Sequence, residues 1–268
     1  MAEAKKRTAL DIIRSYDGPK IRIMEVCGTH THEIFRQGIR QILPPQVDVI
    51  SGPGCPVCVT PVGYIDQAIW LALEKGVTIC TFGDLVRVPG STTPPSCLAV
   101  KQAVADGMTN FSLLTANKTM PMAYEAMKDS ADAFLYPGHV DAVMGTRSGE
   151  AMLKEGVSGV VAGFTAKEQL TAFAVILVKF PQGKPFFKNC YPRVVKAEGS
   201  PAAQALIKEV MEPCDSEWRG LGVIPQSGLQ LRPAFAVCDA RKKYGVPAME
   251  GRANPACRCG DILQGKCT

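Results

Sequence analysis

The chain has 268 residues, of which 46% are hydrophobic and 21% are charged, and its formal net charge is +5. This length allows two domains of ordinary size, and the basic residues are scattered rather than gathered in a tract, which argues against a nucleic-acid-binding protein. Because no apolar stretch is long enough to span a bilayer and the N-terminus lacks the apolar region of a secretory signal, we expect a cytoplasmic protein without a membrane partner.

The first part of the chain alternates between strand and helix patterns. Short apolar runs predict strands at residues 21–26, 47–51 and 77–82, and apolar residues at helical spacing predict helices at residues 33–43 and 66–75. This alternation is typical of a parallel sheet of the Rossmann-like type. Ligands of such sheets bind beyond the carboxyl ends of the strands, so the residues that directly follow each strand become candidates for a site.

A proline-, glycine- and threonine-rich stretch at residues 89–95 predicts a domain boundary, and a second alternating set follows it. Its predicted strands are residues 110–115, 133–136 and 159–162, and its predicted helices are residues 97–106, 121–128, 149–154 and 166–179. Residues 137–140 are predicted to form a loop. After Pro181 the pattern becomes less regular, apart from a predicted helix at residues 201–212.

The sequence therefore predicts an α/β fold made of two Rossmann-like parallel-sheet halves plus a C-terminal region. The halves are residues 18–91 and 92–189, and the C-terminal region is residues 190–268. This region ends in an irregular cysteine-rich tail with few apolar residues. Such a tail needs a bound metal or a docking surface to become ordered.

Eleven cysteines are many for a chain expected in the reducing cytoplasm, where clustered thiols indicate metal binding or redox chemistry rather than structural disulfides. The strongest cluster is the C-x-x-C pair of Cys55 and Cys58, in the turn-rich sequence after the second predicted strand. Two thiols at this spacing can close a disulfide or bind one metal ion, and the arrangement stabilises a thiolate. One alternative is half of a zinc knuckle, which Cys257 and Cys259, spaced C-x-C, complete poorly, and another is two cysteines that simply pack in the structure.

A second cluster consists of Cys27, His30 and His32. Residues 28–32 are predicted to form a loop after the first strand, and Cys27 lies directly before this loop. A thiolate is a soft ligand for iron, and a nearby imidazole can hold the cysteine deprotonated or carry a proton. A nucleophilic Cys–His pair is an alternative without a supporting hydrolase signature. A buried cysteine beside a structural histidine is another. His30 is the stronger candidate, because His32 stands where the predicted helix begins.

Two further candidates follow other predicted strands. Asp84 comes after the strand at residues 77–82, and His139 lies in the predicted loop at residues 137–140. Asp84 and Arg87 could orient a polar ligand at this edge of the sheet, or they could form an ion pair with each other. The loop with His139 is expected to face the other half, although a surface position for His139 would also fit. The chain has no Walker A sequence and no G-x-G-x-x-G, so a nucleotide cofactor is not indicated.

Seven segments, in one order along the chain, together resemble the HypD family, whose members are scaffolds for assembling the iron part of the nickel–iron hydrogenase cofactor. The segments are Met24-Glu-Val-Cys-Gly-Thr-His, Ser51-Gly-Pro-Gly-Cys-Pro-Val-Cys, Cys80-Thr-Phe-Gly-Asp, Pro137-Gly-His-Val, Val161-Ala-Gly-Phe, Cys214-Asp-Ser-Glu-Trp-Arg-Gly-Leu-Gly-Val-Ile-Pro and Cys257-Arg-Cys-Gly-Asp-Ile-Leu. Singly each is weak, but seven in order are specific, and they extend from the first predicted strand to the tail.

The resemblance implies a complex with a HypC-type chaperone, cyanide supplied by a HypE-type donor, and transfer of an iron unit carrying cyanide and carbonyl to the hydrogenase large subunit. Carried over by position, Cys27 is implied as the thiolate that anchors the iron, and Cys55 with Cys58 as a redox pair. The implied cleft residues are His30, Asp84 and His139. Such a protein is an assembly scaffold with redox-active thiols more than an enzyme with independent turnover.

Two departures from the family accompany the resemblance. Ser91 runs directly into Thr92, where the family has a further strand–helix–strand segment. The family also continues beyond residue 268 with further cysteines that hold a four-iron four-sulfur cluster, and of those ligands only Cys259 has a counterpart here. We therefore expect an incomplete cluster site in this chain.

Two other functions stay open on the sequence alone. One is a stand-alone thiol–disulfide oxidoreductase that uses Cys55 and Cys58. The other is a HypC-binding module that has lost its chemistry.

Overall fold

The structure is a computed structural model of the chain, and it describes residues 7–52, 59–77, 79, 90–91, 131–252, 255–258 and 261. These residues belong to two compact units. Within the described part of the chain, the first unit contains residues 7–52 and 131–204, and the second contains residues 59–77, 79, 90–91, 205–252, 255–258 and 261.

Helices and strands alternate along the described residues. The described helices are α1 (Ala9–Arg14), α2 (Gly28–Arg36), α3 (Val62–Lys75), α4 (Gly138–Met144), α5 (Arg147–Lys154), α6 (Ala166–Lys179), α7 (Pro201–Val210) and α8 (Ala240–Tyr244). The described strands are β1 (Ile21–Glu25), β2 (Val47–Ser51), β3 (Ala133–Pro137), β4 (Gly159–Ala162), β5 (Phe187–Asn189), β6 (Met211–Trp218) and β7 (Gly222–Leu231). Short 3-10 turns lie at Ile39–Gln41, Phe180–Gln182 and Pro233–Cys238.

Five strands of the first unit form one parallel sheet in the order β2-β1-β3-β4-β5, which confirms the predicted α/β class. Glu25 at the end of β1 lies opposite Ser51 of β2 and Leu135 of β3. Strands from both predicted halves thus share a sheet. The predicted strand at residues 110–115 and most of the one at residues 77–82 lie outside the described residues, so the domain boundaries stay a prediction.

The sheet is buried on both faces, as expected for parallel strands covered by helices. One face contacts the buried residues of α6 and α1, and the other packs beneath α5 and the segment around residue 195. The buried residues of the first face include Ile13, Ile21, Ile23, Leu135, Val160, Phe173 and Ile176. Those of the second face include Met24, Phe134, Tyr136, Met152, Val161 and Val195. This core fixes the ends of the strands, where the candidate residues lie.

Two predicted loops are wrong, because each is the start of a helix. Residues 28–32 begin α2, which ends at Arg36 rather than at residue 43, and residues 138–140 begin α4. Glycine, threonine and histidine favour helices weakly, so composition hid the start of α2. Burial of His30 and Ile34, one turn apart on the same face, stabilises it. Gly38 then takes a left-handed conformation with a φ of 65°.

The second unit contains an antiparallel hairpin of β6 and β7 that the sequence did not predict. The helix predicted at residues 201–212 ends at Val210 in the structure, and β6 begins at the next residue, Met211. Trp218 anchors the hairpin: it is buried, packs with Val59, and its indole Nε1 donates to Ser227 Oγ at 2.7 Å. Within the described residues, no helix is long and apolar enough to cross a membrane.

Candidate functional site

The carboxyl ends of β1, β3 and β4 form one edge of the parallel sheet, since the three strands are neighbours that run in the same direction. Helix α2 follows β1, helix α4 follows β3, and residues 163–165 follow β4. Three predicted site residues, Cys27, His30 and His139, lie in the segments at this edge. Segments that are more than 100 residues apart in sequence are therefore brought together by strand order alone.

Cys27 occupies the position just before the first residue of α2. Its backbone is extended, with φ of −157° and ψ of 121°, and its side chain makes no capping hydrogen bond to the helix. The residue is buried. The first N–H groups of a helix lack partners within the helix and favour negative charge nearby, so this position suits a thiolate that binds a metal.

His30 lies in the first turn of α2 and is fully buried. Its Nε2 lies 3.0 Å from the backbone oxygen of Gly163, in the loop after β4. A carbonyl oxygen can only accept, so Nε2 carries the hydrogen, and in the neutral imidazole Nδ1 is then the accepting nitrogen. The hydrogen bond thus fixes both the orientation of the ring and its tautomer.

Phe164 joins the two candidate histidines. Its ring centroid lies 4.6 Å from that of His30 and 5.4 Å from that of His139, and both imidazoles are tilted against it. His139 is the second residue of α4, and it is half-buried. His139 is thus partly exposed and packs against this ring, and the two histidines share one aromatic neighbour.

Glu25 is a buried acidic residue beside this site that sequence reasoning did not single out. Its Oε1 lies 3.3 Å from Arg40 Nη2, and its Oε2 has no hydrogen-bond partner within the described residues. Burial raises the pKa of Glu25, and hydrogen bonds from Thr31 and Arg40 offset this only in part. The Thr31 hydroxyl also lies 3.3 Å from Ser51 Oγ. Polar groups thus lie under the first turn of α2.

Asp141 is a second buried carboxyl at this edge. It lies on α4, one turn after Gly138, and both residues are buried. Burial raises its pKa from 3.8 to about 7, and no charged group of the described residues offsets that effect. Its signal in the sequence was faint, because an aspartate in an otherwise apolar helix usually faces solvent.

Four predicted site residues, Cys55, Cys58, Asp84 and Cys259, lie outside the described residues. The segment after the C-x-x-C pair is described, and it is anchored within the second unit. Arg219 donates from its backbone N–H to the Val59 oxygen at 2.7 Å and from Nε to the Thr60 oxygen at 3.0 Å. Within the described part of the chain, no group of three histidine, cysteine or acidic residues could hold a metal ion.

The chain is similar over nearly its whole length to hydrogenase maturation factors. The profile of the HypD family, which is described as "Hydrogenase formation hypA family", matches residues 4–93 and 91–268. The "Hydrogenase maturation factor HypD" of Rhizobium leguminosarum bv. viciae is 36% identical over 320 residues, covering 98% of this chain and 82% of the relative. The proteins of the same name from Azotobacter vinelandii and Escherichia coli (strain K12) are 35% and 34% identical, covering 91% and 92% of this chain and 79% and 80% of the relatives.

The two profile matches meet at residues 91–93, where Ser91 runs directly into Thr92. The alignment with the Rhizobium protein spans 320 residues, which is longer than this chain of 268 residues. The relative therefore contains residues that have no counterpart here. Both observations agree with an internal segment of the family that this chain lacks.

Proposed function

The chain belongs to the HypD family of hydrogenase maturation factors, and from this premise we propose that it is the scaffold on which an iron unit carrying cyanide and carbonyl is assembled for nickel–iron hydrogenase. The observation that carries the proposal is the position of Cys27. It directly precedes the first turn of α2 at the carboxyl edge of the sheet, with His30 and His139 both in contact with Phe164.

In this proposal iron is the cargo, and the Cys27 thiolate is its anchor. A thiolate is a soft ligand that suits iron bound to cyanide and carbonyl, and the N-terminus of α2 stabilises its negative charge. The apolar core beneath the strand ends fixes the backbone at Cys27. A rigid anchor is needed because the cargo must be held while its other ligands are added and then released.

The two histidines supply proton transfer and orientation at the same edge. His30 is held by its Nε2–H, so it accepts a proton at Nδ1. His139 lies on the other neighbouring helix and reaches the same aromatic ring. Imidazoles change protonation near neutral pH, which suits steps that bind or release protonated ligands.

Cys55 and Cys58 are proposed as the redox pair of the assembly. Oxidation of the two thiols to a disulfide releases two electrons and two protons, and reduction takes them back. The support is the C-x-x-C spacing and membership of the family. A further cleft role for Asp84 rests on the same membership.

The proposed partners are a HypC-type chaperone, a HypE-type cyanide donor and, indirectly, the hydrogenase large subunit, all met in the cytoplasm. A four-iron four-sulfur cluster usually needs four thiolates. The tail offers Cys257, Cys259 and Cys267, and of these only Cys257 lies within the described residues. This donor set does not fit a complete cluster, so no step of the proposed assembly depends on one.

The test is the iron content of a Cys27→Ala variant co-produced with a HypC-type chaperone under anaerobic conditions. We expect loss of bound iron and of the infrared bands of iron-bound cyanide and carbonyl, because the anchoring thiolate is gone. Cys190→Ala is the matched control: Cys190 is a half-buried thiol of the same unit whose pKa burial raises to about 11, so it stays a neutral thiol.

Thermal unfolding of both variants separates loss of the ligand from loss of the fold. Full iron loading in a folded Cys27→Ala protein would refute the anchoring role. Iron loss in both variants alike would show that the assay reports general damage.

A further inference from the structure

We propose that Gln37 and Gln169 are positioning residues for the two site histidines, because their side-chain amides fix the Gly163–Phe164 backbone on which His30 and His139 rest. This inference rests on the proposed function for its biological meaning. Its geometry stands on hydrogen bonds and ring contacts of the first unit.

Both glutamines donate to the same backbone oxygen. Gln169 lies on α6 and is fully buried, and its Nε2 is 3.1 Å from the Phe164 oxygen. Gln37 directly follows α2, and its Nε2 is 3.1 Å from that oxygen and 2.6 Å from Glu33 Oε2. Because a carbonyl oxygen only accepts, the amide nitrogens must face it. Two helices are thus tied to one peptide group of the loop after β4.

The two glutamines that bind this peptide group lower the stability of the core, because each buries an amide oxygen that has no partner in the described part of the chain. Within the described residues, the Oε1 atoms of Gln37 and Gln169 are both buried without a hydrogen-bond partner. Burying an amide oxygen unpaired is unfavourable, and an apolar side chain of similar size would avoid it. Packing alone therefore does not account for a glutamine at position 169, whereas control of the Phe164 carbonyl does.

The fixed backbone determines what the histidines can do. With the Phe164 carbonyl held, the adjacent Gly163 carbonyl points at His30 Nε2 and the Phe164 ring faces both imidazoles. Glu168 holds the same loop from the other side, accepting from the Phe164 N–H at 3.1 Å. Loss of the amides would let this loop shift, and His30 would lose its acceptor while both histidines would lose the ring.

The experiment uses the full chain labelled with carbon-13 and nitrogen-15 in its histidines only. The sequence has three histidines, so single substitutions assign every imidazole signal. His32 is an internal reference for substitution of Gln169, because it is exposed and pairs with Glu33 instead of Phe164. The test variant is Gln169→Met, which keeps the volume and removes the amide.

We expect Gln169→Met to shift the ring signals of His30 and His139 together and to expose the His30 Nε2–H to exchange with water, while His32 stays in place. Gln37→Met should move the His30 and His139 signals in the same direction, since it removes the other donor to the same oxygen; it also removes a donor to Glu33, the partner of His32, so His32 is not used as a reference in that variant. Gln182→Met is the control, because Gln182 donates from Nε2 to the Val178 oxygen at 3.0 Å, at the far end of α6. It should shift no histidine signal.

Unchanged His30 and His139 signals in folded Gln169→Met and Gln37→Met would overturn the inference. The same variants are then assayed for iron loading, where we expect a several-fold loss that Gln182→Met does not show. If the histidine signals move and loading is unchanged, the positioning role stands and the histidines' part in the proposed function fails. The two failures are therefore distinguishable.

Discussion

Asp141 shows how one buried carboxyl makes stability depend on pH. Burial raises its pKa from 3.8 to about 7 in the folded protein. Between those values the folded state binds a proton that the unfolded state does not, so stability falls as pH rises through this window and levels off above about pH 7. Ionised Asp141 therefore weakens the fold under mildly alkaline conditions.

The variant Asp141→Asn should be more stable than the parent at pH 8, by about 2 to 4 kcal/mol, because a neutral amide avoids the cost of a buried charge. At pH 4 the two proteins should unfold at similar urea concentrations. Urea unfolding at both pH values measures this. Asp17→Asn, at an exposed aspartate of the same unit, should change neither value appreciably. A stability difference that is equal at both pH values would contradict the burial argument.

From the sequence, the residues of the site could be predicted only where the side chain itself is reactive or can bind a metal. Cys27 and His30 stand out because a thiol and an imidazole follow an apolar strand within three positions. Phe164 and Gln169 do not, because phenylalanine and glutamine are ordinary residues of loops and helices. Their role arises from neighbours brought by other strands, which no local pattern reveals.

At the scale of elements, the segment from β4 into α6 was the most predictable. The predicted strand at residues 159–162 and the helix at residues 166–179 match the structure to the residue. The cause is local: Thr165 accepts from the Glu168 N–H, and the Glu168 carboxylate accepts from the Thr165 N–H at 3.2 Å. A capping box depends on two residues three positions apart, so it can be recognised from the sequence alone.

Glu168 also binds Arg193, with 2.8 Å between Oε1 and Nε. Burial raises the pKa of Glu168, but hydrogen bonds from Thr165 and Arg193 outweigh it and leave the pKa below its ordinary value. The carboxylate therefore stays ionised at neutral pH and accepts hydrogen bonds from both Thr165 and Arg193. The start of α6 and the loop that carries Phe164 share this one group.

Thr165→Ala should lower the free energy of unfolding by about 1 kcal/mol, because it removes the cap of α6. Thr171→Ala in the same helix is the comparison: the Thr171 hydroxyl only donates to the Lys167 oxygen at 2.7 Å, and alanine is the better helix former. That variant should be neutral or slightly stabilising. Chemical denaturation of both decides the matter, and equal effects would show that the cap contributes nothing special.

The hairpin of β6 and β7 was missed for the opposite reason. Pro213 interrupts β6, the register shifts between Cys214 and Ser216, and several of its positions are exposed. Proline and a bulge both weaken the alternating signal on which strand prediction depends. The hairpin is stabilised instead by the burial of Trp218, which an alternating sequence pattern does not reveal.

At the scale of the whole molecule, the point where the family has a further segment is closed by local hydrogen bonds. Ser91 donates from its N–H to Asp66 Oδ1 at 2.8 Å and from its hydroxyl to Asp66 Oδ2 at 2.5 Å. Its hydroxyl oxygen also accepts from the Arg252 N–H at 2.7 Å. Residues of α3 and of the tail thus meet at Ser91 within the second unit.

The tail itself yields a prediction for a protein of these 268 residues. Four thiolates usually hold a four-iron four-sulfur cluster, and the tail has three cysteines, Cys257, Cys259 and Cys267. If Cys259 alone of these is a cluster ligand, as the resemblance implies, anaerobic reconstitution with iron and sulfide should give a protein without the broad visible absorption of a cluster. Absorption and iron counting measure this. About four irons per chain, lost on Cys259→Ser, would show that another thiol completes the site.

The order β2-β1-β3-β4 also has a consequence for how the protein is made. Strand β1 lies in the interior of the sheet, yet its partner β3 begins at Ala133, and the hydrogen bond between the Arg22 N–H and the Asp132 carboxylate joins residues 110 positions apart. Of the described strands, β2 alone is available to pair with β1 until that distant strand leaves the ribosome. Contacts of such long sequence separation form slowly, and the backbone N–H and C=O groups along one edge of β1 stay unpaired meanwhile. The surroundings of Cys27 and His30 are therefore completed only after β4 and Phe164 have emerged, so under the proposed function iron would be captured only once most of the chain has been translated.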